Sequence, residues 1–99
     1  MNDEQIVALY LQRDENAVNE TSQKYGSQLK AVSMNIVQNI STAEECENDT
    51  YLQAWNSILS HEPRNYLFAF LARIIRHISL NRCREQNALK RTGFHNRTR

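Results

Sequence analysis

Residues Tyr66 to Arg84 read YLFAFLARIIRHISLNRCR, among the most apolar stretches of the chain, yet it carries Arg73, Arg76, Arg82 and Arg84 with no acid between them. At about 100° per residue its side chains separate into two arcs. Leu67, Leu71, Ile74, Ile75 and Ile78 fall on one side; Arg73, Arg76, His77 and Arg84, joined later by Arg91, fall on the other. A segment sorted in this way is an amphipathic helix with a buried stripe and a basic ridge on its back. Arg82 is the exception. Its rotation puts it on the apolar arc, where an unpaired guanidinium is costly, so a carboxylate partner is expected.

The rest of the composition agrees with helices. In 99 residues there are only two glycines and one proline, too little punctuation for strands joined by tight turns. At this length, with 40% hydrophobic residues, the chain supports one core, so a single domain over residues 1–90 is expected, with 91–99 as a flexible basic tail or the start of a linker. Upstream, three further helices can be read. Ile6, Leu9 and Tyr10 mark a first helix from Asp3 to Arg13 after an Asn2/Asp3 cap. Val18, Tyr25, Leu29, Val32 and Ile36 mark a second, opened by Asp14 and running to Asn39, weakened but not broken by Gly26. Ser41 and Glu44 fit a capping box for a third, ending near Leu59. Pro63 fits the first turn of the fourth, which is expected from Arg64 to about Leu89. The fold class is therefore all-α, a compact bundle of about four helices.

Several classes of function are disfavoured. No apolar run approaches the length of a membrane span, and the acidic N-terminus has neither the basic region nor the small-residue site of a secretory signal, which points to a cytoplasmic protein without membrane insertion. Cys46 and Cys83 stand alone, without metal-ligand spacing, and read as buried free thiols; no metal or other cofactor is expected. No carboxylate pair, Cys/His dyad or glycine-rich phosphate loop occurs at a spacing that would support catalysis, so the chain is not expected to be an enzyme.

Charge is polarised along the chain. Residues 1–63 hold three basic and ten acidic side chains, net −7, whereas residues 64–99 hold nine basic and one acidic, net +8. Such asymmetry points to two partners of opposite character, a polyanion for the C-terminal part and something basic for the rest. On charge alone the ridge of the fourth helix fits either phosphate contact or a solvated face; the lack of Glu or Asp four residues before its arginines favours phosphate. The loop before it, with Ser57, Ser60, His61, Arg64, Asn65 and Tyr66, holds the polar, cationic and aromatic groups that stack and hydrogen-bond an unpaired base, although ordinary interhelix loops share that composition. On the third helix, Glu45, Asn48, Asp49, Leu52 and Asn56 share an outward arc, and an exposed leucine in an acidic strip resembles a docking surface for a basic protein. Glu47 falls on the inner arc with Ala43, Thr50, Tyr51, Ala54 and Ile58, and is the expected partner of Arg82.

The run AEECENDTYLQAW, then a short Pro-containing loop, then FLARIIRHISLNRCR, resembles region two of sigma-70 family transcription factors of the extracytoplasmic-function branch. That branch typically shows an AED-x-x-Q-x-x-F-L-x-A-W helix followed by W-L-x-x-I-x-R-N-x-x-x-D-x-x-R. LQRDENAV and the Tyr25/Leu29 stripe resemble the family's N-terminal helices, so the likeness spans about residues 5–90 and rests on the motifs in combination. It implies a transcription initiation module. Glu45, Asn48, Asp49, Leu52 and Asn56 would dock on the β′ clamp helices of core RNA polymerase. Ser60, His61, Arg64, Asn65 and Tyr66 would capture an extruded base of the promoter minus-ten element. Arg73, Arg76, His77 and Arg84 would hold the opened non-template strand. Three positions depart from the pattern: Phe70 stands for Trp, Asn81 for Asp and His77 for Asn, the last making strand contact there sensitive to pH. The family's second domain, region four, has no counterpart in these residues. A half of a split sigma factor, or a sigma-like interaction protein that binds polymerase or an anti-sigma factor without initiating alone, is the other reading, and a separate region-four-bearing partner would then be expected.

Overall fold

The structure, a computed structural model, describes the backbone of residues 1–98 and the side chains of residues 1–87. Four helices follow in order: α1 (Asp3–Leu11), α2 (Asn16–Val37), α3 (Ile40–His61) and α4 (Leu67–Thr98). No strand occurs among the described residues, and no helix there is long and apolar enough to cross a membrane. The all-α class read from the sequence holds.

Each helix boundary has a local cause. Asn2 caps α1 in a reciprocal box: its Oδ1 accepts from the Gln5 amide at 2.8 Å, and the Gln5 side chain accepts from the Asn2 amide at 3.0 Å. The helix closes in a Schellman arrangement, Asp14 N–H to Leu9 carbonyl and Arg13 N–H to Tyr10 carbonyl, with Arg13 at φ 58° where glycine is usual. A left-handed arginine costs about 1–2 kcal/mol. The compensation lies in α3: the Arg13 guanidinium sits 4.0 Å above the Trp55 ring and donates to the Trp55 carbonyl at 2.7 Å. Asp14 then serves the start of α2, accepting from the Asn16 amide through its carboxylate at 2.9 Å.

Two expected starts are displaced. The cap of α3 is Asn39, whose side chain accepts from the Thr42 amide at 2.9 Å, rather than Ser41. Gln38 has entered the left-handed region at φ 54° and ended α2 at Val37, so Asn39 is already extended and Ser41 lies inside the first turn. Glu44, released from capping, comes within 3.5 Å of Lys30. Likewise Pro63 is not in the first turn of α4. It is fully buried in the preceding turn, where its carbonyl accepts from the Tyr66 amide at 3.3 Å, and the first bond of α4 runs from Phe70 N–H to the Tyr66 carbonyl. At its far end α4 continues to Thr98, through the stretch expected as a tail; a lone glycine such as Gly93 costs a helix only about 1 kcal/mol relative to alanine.

The core joins all four helices. Tyr10, Leu29, Ile58, Leu67, Leu71 and Ile75 are fully buried; Ile74 is buried and Ile78 partly so, as the apolar arc of α4 requires. The buried face of α2 is made largely of small residues: Ala17, Thr21, Gly26 and Ser33 beside Leu29. These let neighbouring helices approach and place hydroxyls where partners exist. Thr21 donates to the Ala17 carbonyl at 2.7 Å and pairs with the Tyr10 hydroxyl at 2.8 Å, and Ser79 of α4 bonds Ser33 at 2.7 Å. At Gly26 an added Cβ would meet the Glu47 carboxylate at 3.0 Å and the Tyr51 hydroxyl at 3.4 Å, so the glycine makes room for the polar contact between α2 and α3.

Candidate nucleic-acid interface and docking face

A groove of about 1090 Å³ runs between the C-terminal half of α3 and the first turns of α4. Its lining comprises Gln53, Ser57, His61, Tyr66, Ala69, Phe70, Ala72, Arg73, Ile74, Arg76, His77 and Leu80. No carboxylate is among them, while two arginines and two histidines are. Phe70, only 9% exposed, bridges the core and the groove, its ring 5.3 Å from that of His61.

The rim is built by closing the C-terminus of α3, where unpaired carbonyls must find donors. His61 Nδ1 contacts the Ser57 carbonyl at 3.0 Å, the Glu62 amide reaches the Ile58 carbonyl at 2.8 Å, and the Tyr66 hydroxyl donates to the His61 carbonyl at 3.0 Å. Glu62, left-handed at φ 41°, turns the chain. The turn thus holds the His61 imidazole and the half-exposed Tyr66 ring at the groove.

Of the residues read from the sequence as strand-binding, His61, Tyr66, Arg73, Arg76 and His77 come together here. Four do not line the groove. Ser60, expected in the loop, is exposed on the last turn of α3, and Asn65 is exposed on the turn that follows; Arg64 lies 3.4 Å from Glu62; Arg84 is exposed further along α4 and donates to the Asn81 side chain at 3.3 Å. The Arg91 side chain lies outside the described residues. Gln53, Ala69, Ala72 and Leu80 belong to the lining and were missed. Leu80, 42% exposed, stands in the middle of the basic arc by the same 100° rotation, and that position is its signal in the sequence.

The outward arc of α3 presents Glu45, Asn48, Asp49, Leu52 and Asn56. Leu52 is 62% exposed, and Leu59, seven residues on and 49% exposed, extends the same arc. The carboxylates are not idle. Arg82 donates to Glu45 at 2.7 Å and to Asp49 at 3.0 Å. Arg82 therefore has its acidic partners on α3, but they are Glu45 and Asp49, not Glu47. Glu47 is buried on the α2 side, where it accepts a short hydrogen bond from Tyr51 and lies 3.9 Å from Lys30. Burial, reinforced by that bond to Glu47, pushes the Tyr51 phenol well above its ordinary value. Of the two thiols expected to be buried, Cys46 is, but Cys83 is only partly so, with the Asn87 amide 3.8 Å from its sulfur.

Fold and surface together define the class, a small all-α domain with a cationic, aromatic-floored groove between α3 and α4 and an acidic, leucine-bearing arc exposed on α3. No family model, curated protein or solved structure matches the chain.

Proposed function

We propose that this domain is the polymerase-docking and minus-ten-binding module of a sigma-type transcription initiation factor, and that it acts by selective binding without catalysis. The observation that carries the reading is the composition of the groove: Arg73 and Arg76 for phosphates, Tyr66 and the His61–Phe70 pair as planar surfaces, and no carboxylate to repel a strand. Stacking an unpaired base on such surfaces is worth about 1–3 kcal/mol, comparable with the few kcal/mol needed to unstack it from a duplex. A domain that holds only the opened state shifts the promoter toward melting. Leu52 and Leu59, with Glu45 and Asp49 around them, suit an amphipathic basic helix such as a clamp helix of the polymerase β′ subunit.

The test mixes the protein with core RNA polymerase and a labelled non-template minus-ten strand. A ternary complex that weakens as salt rises is expected. Binding to polymerase without any gain in strand binding would sink this reading in favour of an interaction protein that occupies the polymerase, or an anti-sigma factor, without initiating.

A further inference from the structure

We propose that the α3–α4 groove takes up phosphate-bearing ligands together with protons, and that His61 and His77 are the groups that bind those protons. The inference rests on the groove reading for its natural ligand, but its chemistry concerns any phosphate anion. It begins at His61. The Ser57 carbonyl can only accept, so its 3.0 Å contact fixes the hydrogen on Nδ1. The neutral ring is then left with a lone pair on Nε2. A phosphate oxygen is also an acceptor, and two acceptors cannot pair, so an anion can bond Nε2 only if that nitrogen gains a proton. His77 lines the same groove from α4 and is exposed.

The surroundings strengthen the coupling. The charged groups that line the groove with the two imidazoles are Arg73 and Arg76, both from α4; α3 adds only Gln53 and Ser57 beside His61, and neither α1 nor α2 contributes a lining residue. The nearest loop carboxylate, Glu62, is outside the lining and 3.4 Å from Arg64. Tyr66, the other titratable lining group, donates its hydroxyl to the His61 carbonyl. No acid in the groove can therefore hold an imidazolium in advance. The entering anion supplies the negative charge, and each proton it draws onto a ring adds a charge-assisted hydrogen bond. Histidine is the side chain whose charge ordinarily changes between pH 5 and 8, so the effect falls in a measurable range.

The experiment measures binding of oligothymidylate, whose bases do not titrate in this range, from pH 8 to pH 5.5 at constant ionic strength. In parallel, the imidazole resonances of His61 and His77 are titrated with and without pyrophosphate. Affinity should rise on acidification by roughly tenfold for each imidazole engaged, a one-unit shift of its titration on binding. His61→Gln and His77→Gln should each remove their share of that rise, and the double variant should bind alike at both ends. Arg73→Gln should weaken binding by the same factor at every pH. Oligothymidylate that binds equally at pH 8 and pH 5.5 overturns the proposal and leaves the strand-binding function standing. Pyrophosphate that shifts both imidazole titrations while the oligonucleotide does not bind supports the proposal and sinks the function. Binding of neither anion at pH 5.5 overturns both.

Discussion

The outward arc of α3 and the α3–α4 groove handle charge in opposite ways. On the outer face the carboxylates of Glu45 and Asp49 already hold a guanidinium, Arg82, from the neighbouring helix. In the groove, Arg73 and Arg76 form no ion pair among the described residues. One side has its charges engaged in holding helices together, the other leaves them available. Arginines drawn from a single stretch of sequence thus meet different surroundings: spacing turns Arg82 away from the ridge, and an acid across the helix contact engages it.

The contrast is broken most forcefully at Phe70, which belongs to the core and the groove together. Phe70→Ala should destabilise the domain by about 3–5 kcal/mol, read by denaturant melting, because it opens a cavity beside Ile74 and removes the surface on which His61 rests. Leu52→Ala and Leu59→Ala on the outer face should each change stability by no more than about 0.5 kcal/mol while weakening any partner that docks there. Comparable losses at all three positions would mean that the outer leucines are core residues.

Next in size is Glu47→Ala, expected to cost about 1–3 kcal/mol because it strips the buried Tyr51 hydroxyl of its carboxylate acceptor. This residue shows what the sequence could and could not disclose. The four helices and the core stripe of α4 were legible because a 3.6-residue period is a local property, visible in Leu67, Leu71, Ile74 and Ile75 alone. That Glu47 faces inward was legible for the same reason. Its partner was not. Rotation about one helix axis says nothing about how two axes cross, and the crossing brings Arg82 to Glu45 and Asp49 and leaves Glu47 to Tyr51 and Lys30. The α3 cap was misplaced by two residues for a related reason: Asn39 and Ser41 are both competent caps, and the choice is made by Gln38, a residue type that gives no warning of a left-handed backbone. In the groove, the cations stand out by their charge, whereas Gln53 and Leu80 are exposed side chains that share the groove without sharing that charge.

Arg82→Ala should cost less, up to about 1 kcal/mol, because Glu45 and Asp49 remain partly solvated in the pair. The loss should shrink in high salt, as expected of screened charges. Its second effect separates the two faces directly. With Arg82 gone, Glu45 and Asp49 are released, so under the proposed function polymerase binding should tighten slightly while strand binding in the groove stays as it was. If strand binding fell instead, Arg82 would belong with Arg73 and Arg76.

The smallest effect concerns acid. The groove lining has no carboxylate to lose, whereas the helix ties elsewhere depend on them, so lowering pH should loosen the scaffold first. Asp3 is the clearest case: its carboxylate is 2.7 Å from Lys24 and shares the single Tyr25 hydroxyl proton between its two oxygens, at 2.7 and 2.9 Å, docking the start of α1 on α2. Burial pushes this carboxyl upward, but the bonds from Lys24 and Tyr25 outweigh it and hold its pKa below the ordinary 3.8. A group held lower in the folded state than in the unfolded one contributes stability above the unfolded value and loses it as pH falls through the folded value. Asp3→Asn should therefore lower the melting temperature slightly at pH 7, and the difference from the unaltered protein should vanish at pH values below both. A difference that persisted unchanged at low pH would trace the loss to packing of the α1 terminus and not to the ionised carboxylate.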